Sequence, residues 1–284
     1  MMRGMYAAIS GLSVHQTMLD VTANNLANVD TIGYKAQRTT FTDQLSQELA
    51  SPTGPGLSSG GTNAIQVGLG VQLGSIDNMM GQGSMQSTGN TLDIAIQNDG
   101  FFQVGGGNTT VQPPTLPTTY QYTRAGNFTL NSQGYLTTQS GEYVMGQAAA
   151  GSSSTAPTLQ YIKIPPGSTG VAVGQNGAVT YVDSTGATQT AGYLSLVSFP
   201  NEDGLLRDGG SLWSASPASG QPMVYGSPQT GNLGTTLSGQ LEQSNVDMAT
   251  EFTNMITAER GYQANSRAIT TADQMLQTLV SMGQ

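Results

Sequence analysis

The 284-residue sequence contains no cysteine, one histidine and one tryptophan, and only 9% of its residues are charged. Without cysteine there is no disulfide framework, no thiolate zinc site and no cysteine nucleophile, and with His15 as the sole imidazole no multi-histidine metal site can form. Ser-His-Asp catalysis would have to run through that one residue. Lysine occurs only at Lys35 and Lys163, and 8 basic residues stand against 17 acidic ones for a net charge of -9. A chain so poor in cations cannot track a phosphate backbone, so no nucleic-acid partner is expected. No run of about 18 apolar residues suggests a membrane-spanning helix, and the first ten residues lack the apolar stretch of a cleaved secretion signal. What the chain does have is glycine, at 38 positions, with 37% hydrophobic residues. A chain of this length can still bury a core, but turns must take an unusual share of it.

The ends are patterned differently from the middle. Met5, Leu12, Leu19 and Leu26 repeat every seven residues, with Met2, Ile9, Gln16 and Ala23 as the offset set. This spacing predicts a helix over residues 2–28 with an apolar stripe for a partner helix. Near the other end Met248, Met255, Tyr262, Ile269 and Leu276 repeat in the same way. Phe252 and Val280 hold the second seam position, which turns polar at Glu259, Ser266 and Asp273. Ser244 with Asp247 resembles a capping box with Asp in place of Glu, and Gly283 follows the last apolar residue, so a helix of about 35 residues and roughly 50 Å is predicted. No other helical pattern exists for either stripe to pack on. The two helices should pair, and any stripe they leave uncovered should face other chains.

Between them the period shortens to two, as in Leu92-Asp93-Ile94-Ala95-Ile96 and Phe128-Thr129-Leu130. These read as strands. Val171-Ala172-Val173 and Ala178-Val179-Thr180-Tyr181-Val182 flank Asn176-Gly177, which suits a two-residue hairpin turn. Turn clusters at residues 131–134 and 183–186 separate further short strands, the pattern of an antiparallel sandwich or barrel. Stretches 51–63, 105–119 and 148–157 read as loops or connectors. The expectation is an α+β chain. Residues 1–45 and 240–284 form a coiled-coil-like helical inner domain, 46–75 a Gly/Pro-rich connector, and 76–239 a β-rich outer domain.

Nothing in the sequence builds a reaction centre. Gly68-Leu69-Gly70-Val71-Gln72-Leu73-Gly74 has the wrong spacing for a dinucleotide loop, and Asn98-Asp99-Gly100 and Glu202-Asp203-Gly204 lack the ligand ladder of a calcium loop. No enzyme activity, cofactor, metal or small-molecule substrate is expected. A secreted adhesin or enzyme with a helical stalk is the competing class, but patterning at both termini argues against a single anchoring end.

Several longer words carry more information. Residues 23–35, Ala-Asn-Asn-Leu-Ala-Asn-Val-Asp-Thr-Ile-Gly-Tyr-Lys, resemble the N-terminal signature of the bacterial flagellar rod and hook proteins. Residues 239–247, Gly-Gln-Leu-Glu-Gln-Ser-Asn-Val-Asp, with Phe252-Thr253-Asn254-Met255-Ile256 and residues 260–266, resemble its C-terminal counterpart. Between them residues 89–96, Gly100-Phe101-Phe102 and residues 122–128, Tyr-Thr-Arg-Ala-Gly-Asn-Phe, are similar to the family's β-domain motifs, in order. The resemblance implies a subunit that polymerises with its own copies into a helical tube. It implies other axial proteins at the rod and hook junctions, the hook cap and the flagellar type III export apparatus as partners, and export to the flagellum outside the cytoplasm. Together with the heptads it gives an expected assembly interface of Met5, Ile9, Leu12, Leu19, Leu26, Met248, Phe252, Met255, Tyr262, Ile269 and Leu276, with Asn24, Asn25 and Asn28 supplying polar partners where the first helix ends. Within the family the likeness is to the short hook proteins of Gram-positive type, through Gly60-Gly61-Thr62-Asn63 and Val67-Gly68-Leu69-Gly70. The alternative is a distal rod protein, which has a stiffening insert where residues 46–66 fall. Pro52, Gly54, Pro55, Gly56, Gly60 and Gly61 in that segment make a pliable connector, and therefore a hook, the expected choice.

Overall fold

Two long helices and a large set of antiparallel strands give the chain its α+β class. The computed structural model describes residues 2–54, 60–106, 116–117, 119–148, 159–229 and 233–283. Much of the loop expected at 105–119, all but one residue of 148–157 and the centre of 51–63 lie outside the described residues. The chain divides into two compact units.

One unit comprises residues up to Ala27, Gln37–Asn78 and Asp247 onward. Helix α1 spans Met2–Ala27 and helix α2 spans Met248–Met282, 35 residues long. Asp247 itself caps α2, with extended backbone and a carboxylate that accepts the Ala249 N–H at 2.9 Å and the Thr250 hydroxyl at 2.9 Å. The expected capping box, which would start the helix three residues earlier, is therefore replaced by a single-residue Asp cap. Those hydrogen bonds, the one from Thr250 foremost, lower the Asp247 pKa.

The remainder of this unit departs from expectation. Strand β1 (Gln37–Asp43) pairs antiparallel with β4 (Val71–Asn78), and β2 (Ser46–Ala50) with β3 (Ile65–Gly68). Gln44 N–H to the Gly70 carbonyl at 2.9 Å bridges the two ladders, and reciprocal Thr53–Thr62 backbone bonds at 3.0 and 3.1 Å extend the ribbon beyond them. Most of the described residues of 46–75 are thus in paired strands; Pro52, Gly54, Gly60 and Gly61 fall between β2 and β3, and Pro55 and Gly56 lie outside the described residues. Strands β2 and β3 gave no strand signal because the signal arises from burial on one face: every residue of both is exposed, so no alternation is imposed on the sequence.

The second unit comprises Asn28–Ala36 and Met79–Val246. Residues 28–36, inside the 1–45 bounds expected for the helical domain, belong here. A thirteen-stranded sheet and two two-stranded pairs make up its strands among the described residues, every pairing antiparallel. Strand Phe101–Gly105 is wholly buried because both its faces are covered. Phe102 and Val104 enter a large cluster with Ile94, Ile96, Phe128 and Leu196, whereas Phe101 enters a second with Tyr122, Phe199 and Trp213.

Four of the 38 glycines share one cause. The loop at Asn176-Gly177 holds three residues, not two: Gly174 and Ala178 pair through a 2.9 Å bond, and Gly177, at φ 73°, donates to the Gly174 carbonyl. The same hydrogen-bond pattern recurs with Gly134, Gly141 and Gly186 at φ 85°, 89° and 79°. Each is a tight turn closed by a left-handed residue, a conformation glycine adopts without steric cost.

Candidate functional site

The helix pair is held by small side chains. Ala8, Gly11, Val14, Thr22 and Asn25 are the buried residues of α1, and Glu251, Ala258 and Ala272 those of α2. A Cβ on Gly11 would lie 2.7 Å from the Asn265 amide nitrogen, and one on Gly261 would lie 2.5 Å from the His15 ring. The side chains at a contact set how near two helices come, so these glycines let α1 and α2 approach closely. The seam therefore runs beside the predicted stripe. Met5, Leu12, Leu19, Leu26, Met255, Tyr262, Ile269 and Leu276 are half-buried, while Ile9, Met248 and Phe252 are exposed. The pair leaves large apolar side chains available along its flanks, where sequence reasoning had placed them inside it.

The asparagines differ from one another. Asn25 is fully buried; its amide donates to the Gln37 carbonyl at 2.8 Å and accepts the Gln37 N–H at 2.9 Å, reproducing a strand's pairing at the first residue of β1. It also hydrogen-bonds Glu251, whose pKa is raised, chiefly by burial. Asn28 is half-buried and accepts the Thr31 hydroxyl at 3.1 Å, and Asn24 is exposed.

The β-rich unit contains a feature the sequence did not disclose. Lys35 and Glu242, both fully buried, meet at 2.7 Å. The Lys35 ammonium also donates to the Gly81 carbonyl at 2.9 Å, and Glu242 Oε1 also accepts the Gly83 N–H at 2.9 Å. Arg124, equally buried, has Nη1 3.6 Å from Glu242 Oε2, donates to the Asn98 carbonyl at 3.0 Å and lies over the Phe101 ring. Two cations thus flank one carboxylate out of water. Desolvation, then repulsion from Arg124, lowers the Lys35 pKa; burial raises that of Glu202, whose charge the same two cations attract. Arg207 joins by donating to the Lys35 carbonyl and stacking over Tyr34 and Trp213.

Glycine makes the cluster possible. Gly33 sits at φ 67°, where a Cβ would be 2.7 Å from the Ala125 nitrogen, and a Cβ on Gly126 would overlap the Ile94 carbonyl oxygen. Lys35, Arg124 and Glu242 come from the three separate words quoted above. Their convergence was invisible because Lys35 and Glu242 lie 207 positions apart.

Paired terminal helices with apolar flanks, an extended ribbon and a charge-stapled β-rich unit define a structural subunit, and among the described residues no group of three or more His, Asp or Glu could hold a metal ion. Comparison with known proteins agrees. Family models match at residues 5–35 (flagella basal body rod protein), 95–181 (flagellar hook protein FlgE/F/G D1 domain) and 237–282 (flagellar basal body rod FlgEFG protein C-terminal). The chain is 42% identical over 282 residues to the flagellar basal-body rod protein FlgG of Bacillus subtilis, covering 99% of each, and 38% identical to that of Agrobacterium fabrum, covering 96% of this chain and 97% of the relative. To the flagellar hook protein FlgE of Borreliella burgdorferi it is 25% identical over 451 positions, covering 99% of this chain and 100% of the hook protein. The chain belongs to the flagellar basal-body rod and hook family and is a structural protein, not an enzyme.

Proposed function

We propose that this chain is a distal rod subunit of the flagellar basal body, the alternative reading of the sequence, and not a hook subunit. The observation that carries this choice is the ribbon β1–β4, whose paired strands β2 and β3 take up both ends of the segment on which the hook reading rested. End-to-end similarity to rod proteins at 42% and 38%, against 25% for a hook protein, supports the same choice. A straight drive shaft needs each subunit held in one conformation, and a hydrogen-bonded ribbon changes length less readily than a glycine-rich loop.

In this reading the paired helices of successive copies pack through their flanks, as in a coiled coil, to line a tube, and the β-rich unit forms the outer layer. Contacts that repeat without closing a ring propagate a helical polymer. A free subunit leaves the flanking side chains without partners, so its helices are marginal until docking supplies burial. The subunit is exported by the flagellar type III apparatus to a position outside the cytoplasm, and the tube's ends meet other axial proteins.

Electron microscopy of the purified full chain under assembly conditions tests the assignment. Straight tubes are expected. Curved tubes, or cells that lack the protein yet still carry a complete hook outside the envelope on a normal rod, would overturn it.

A further inference from the structure

Three of the four places where the chain passes between its two units follow Ala36, precede Met79 and follow Val246. Within the β-rich unit a residue that stands one position before the third crossing reaches the other two with its side chain. Asn245 Oδ1 accepts the Ala36 N–H at 2.7 Å, and its Nδ2 donates to the Met79 carbonyl at 2.7 Å and the Gly81 carbonyl at 3.0 Å. The assignment of the amide is unambiguous, because flipping it would set NH2 against an N–H and an oxygen against two carbonyls. Backbone bonds close the same knot: Met79 N–H to the Ala36 carbonyl at 2.8 Å and Asn245 N–H to the Tyr34 carbonyl at 3.4 Å.

We infer that Asn245 is a positioning residue, a clasp that fixes the backbone at three chain crossings, so that a rigid β-rich unit holds its exit points in one geometry. Its amide alone has both the acceptor and the two donors that three backbone groups demand. Aspartate keeps the acceptor but presents a second oxygen to two carbonyls, and alanine loses everything. The burial that stabilises the unit lies elsewhere, in the Lys35–Glu242 pair and the two apolar clusters, so loss of the clasp should loosen the crossings without unfolding the unit.

The test compares Asn245→Ala, Asn245→Asp and Lys35→Met with the wild-type full chain, using trypsin and the fluorescence of Trp213. Arg38, exposed and two residues beyond the Ala36 crossing, is the reporter bond. In both Asn245 variants cleavage after Arg38 should accelerate at least about tenfold while the Trp213 denaturation midpoint stays near wild type; Lys35→Met should shift the midpoint itself. Unchanged cleavage in Asn245→Ala would overturn the clasp. So would a midpoint shift as large as that of Lys35→Met, which would make Asn245 one more core contact. Neither readout involves polymerisation, so failure of the rod assignment and failure of the clasp are distinguishable.

Discussion

Replacing Lys35 by methionine keeps the side chain's length and removes its charge. In the wild type Glu242 Oε1 has two donors, the Lys35 ammonium and the Gly83 N–H, and no water reaches the pair, since both side chains are fully buried. The substitution leaves a buried carboxylate with one backbone donor and Arg124 at 3.6 Å, and it also strips the Gly81 carbonyl of a donor. Breaking a buried pair by deleting one partner costs about 3–5 kcal/mol. That is a large part of the roughly 5–15 kcal/mol that holds a typical domain folded. Arg124 limits the loss by remaining near Oε2, so the lower half of the range is expected. Trp213 is the chain's only tryptophan, 2% exposed and stacked under Arg207 in the same unit, which makes urea unfolding followed by its fluorescence a local assay.

A double variant, Lys35→Met with Glu242→Gln, removes both charges of the pair and should recover about 1–3 kcal/mol relative to the sum of the single losses. The pH dependence supplies a second check. The folded state lowers the Lys35 pKa below its ordinary 10.5. Between the lowered value and 10.5 the unfolded chain binds the extra proton, so wild-type stability gains from this group as pH rises through that window, and the gain should vanish in Lys35→Met. A Lys35→Met protein whose midpoint is within about 0.5 kcal/mol of wild type would behave like a surface variant and refute the staple.

Deleting residues 248–284 should leave the Trp213 transition in place and abolish sedimentable polymer; tubes from the truncated chain would remove α2 from the assembly role. Gly261→Leu drives a side chain into the His15 ring and should cost the helix pair about 1–3 kcal/mol by overpacking, read as lost helicity by circular dichroism, whereas Ala264→Leu on the exposed side should not. Leu19→Asp should spare the helix pair, because Leu19 only flanks its seam, yet block tubes; equal polymerisation would show that the flank is not an interface. The raised pKa of Glu251 means the folded state holds its proton above the ordinary 4.5, so stability of the helical unit declines as pH climbs from about 4.5 through the raised value. Glu251→Gln should flatten that decline in a pH series of thermal melts.

The sequence disclosed most where one face of an element is buried against another. Both helices were readable from their seven-residue repeats, and the buried Ile94, Ile96, Phe128 and Val179 from the strand pattern. The repeat draws the eye to Leu12 and Leu19, while Gly11, which lies against Asn265 of α2, and Asn25, which meets the β1 start and Glu251, look like breaker or surface residues. The buried small residues Ala8 with Thr22 and Gly11 with Asn25 stand fourteen residues apart, with His15 and Met18 between them, so they leave no seven-residue repeat to read. Strands β2 and β3 of the ribbon were illegible for the opposite reason, since strands exposed on both faces leave no periodic trace. Lys35, Arg124 and Glu242 stood inside recognisable words, but nothing local says that three ordinary charges will be buried together.

The scarcity of cations acquires a meaning once the unit is assembled. Lys35, Arg124, Lys163 and Arg207 are the basic residues of the β-rich unit, and the first two are spent inside it. Its surface therefore keeps Asp93, Asp99, Asp183, Asp203 and Asp208 with few cations to answer them. Charge pairing between copies has little to work with on such a surface, and like charges oppose chance adhesion. Association of identical chains must then depend on groups of another kind. Exposed large apolar side chains can supply it: most lie on the flanks of α1 and α2 and, as with Phe41, Leu45, Leu49, Ile65 and Ile76, on the ribbon, while Met79, Leu116, Leu130, Leu206 and Met223 belong to the β-rich unit. The flanks and the ribbon all lie in the helical unit, which is where the larger share of these side chains stands and where the proposed polymer contacts fall.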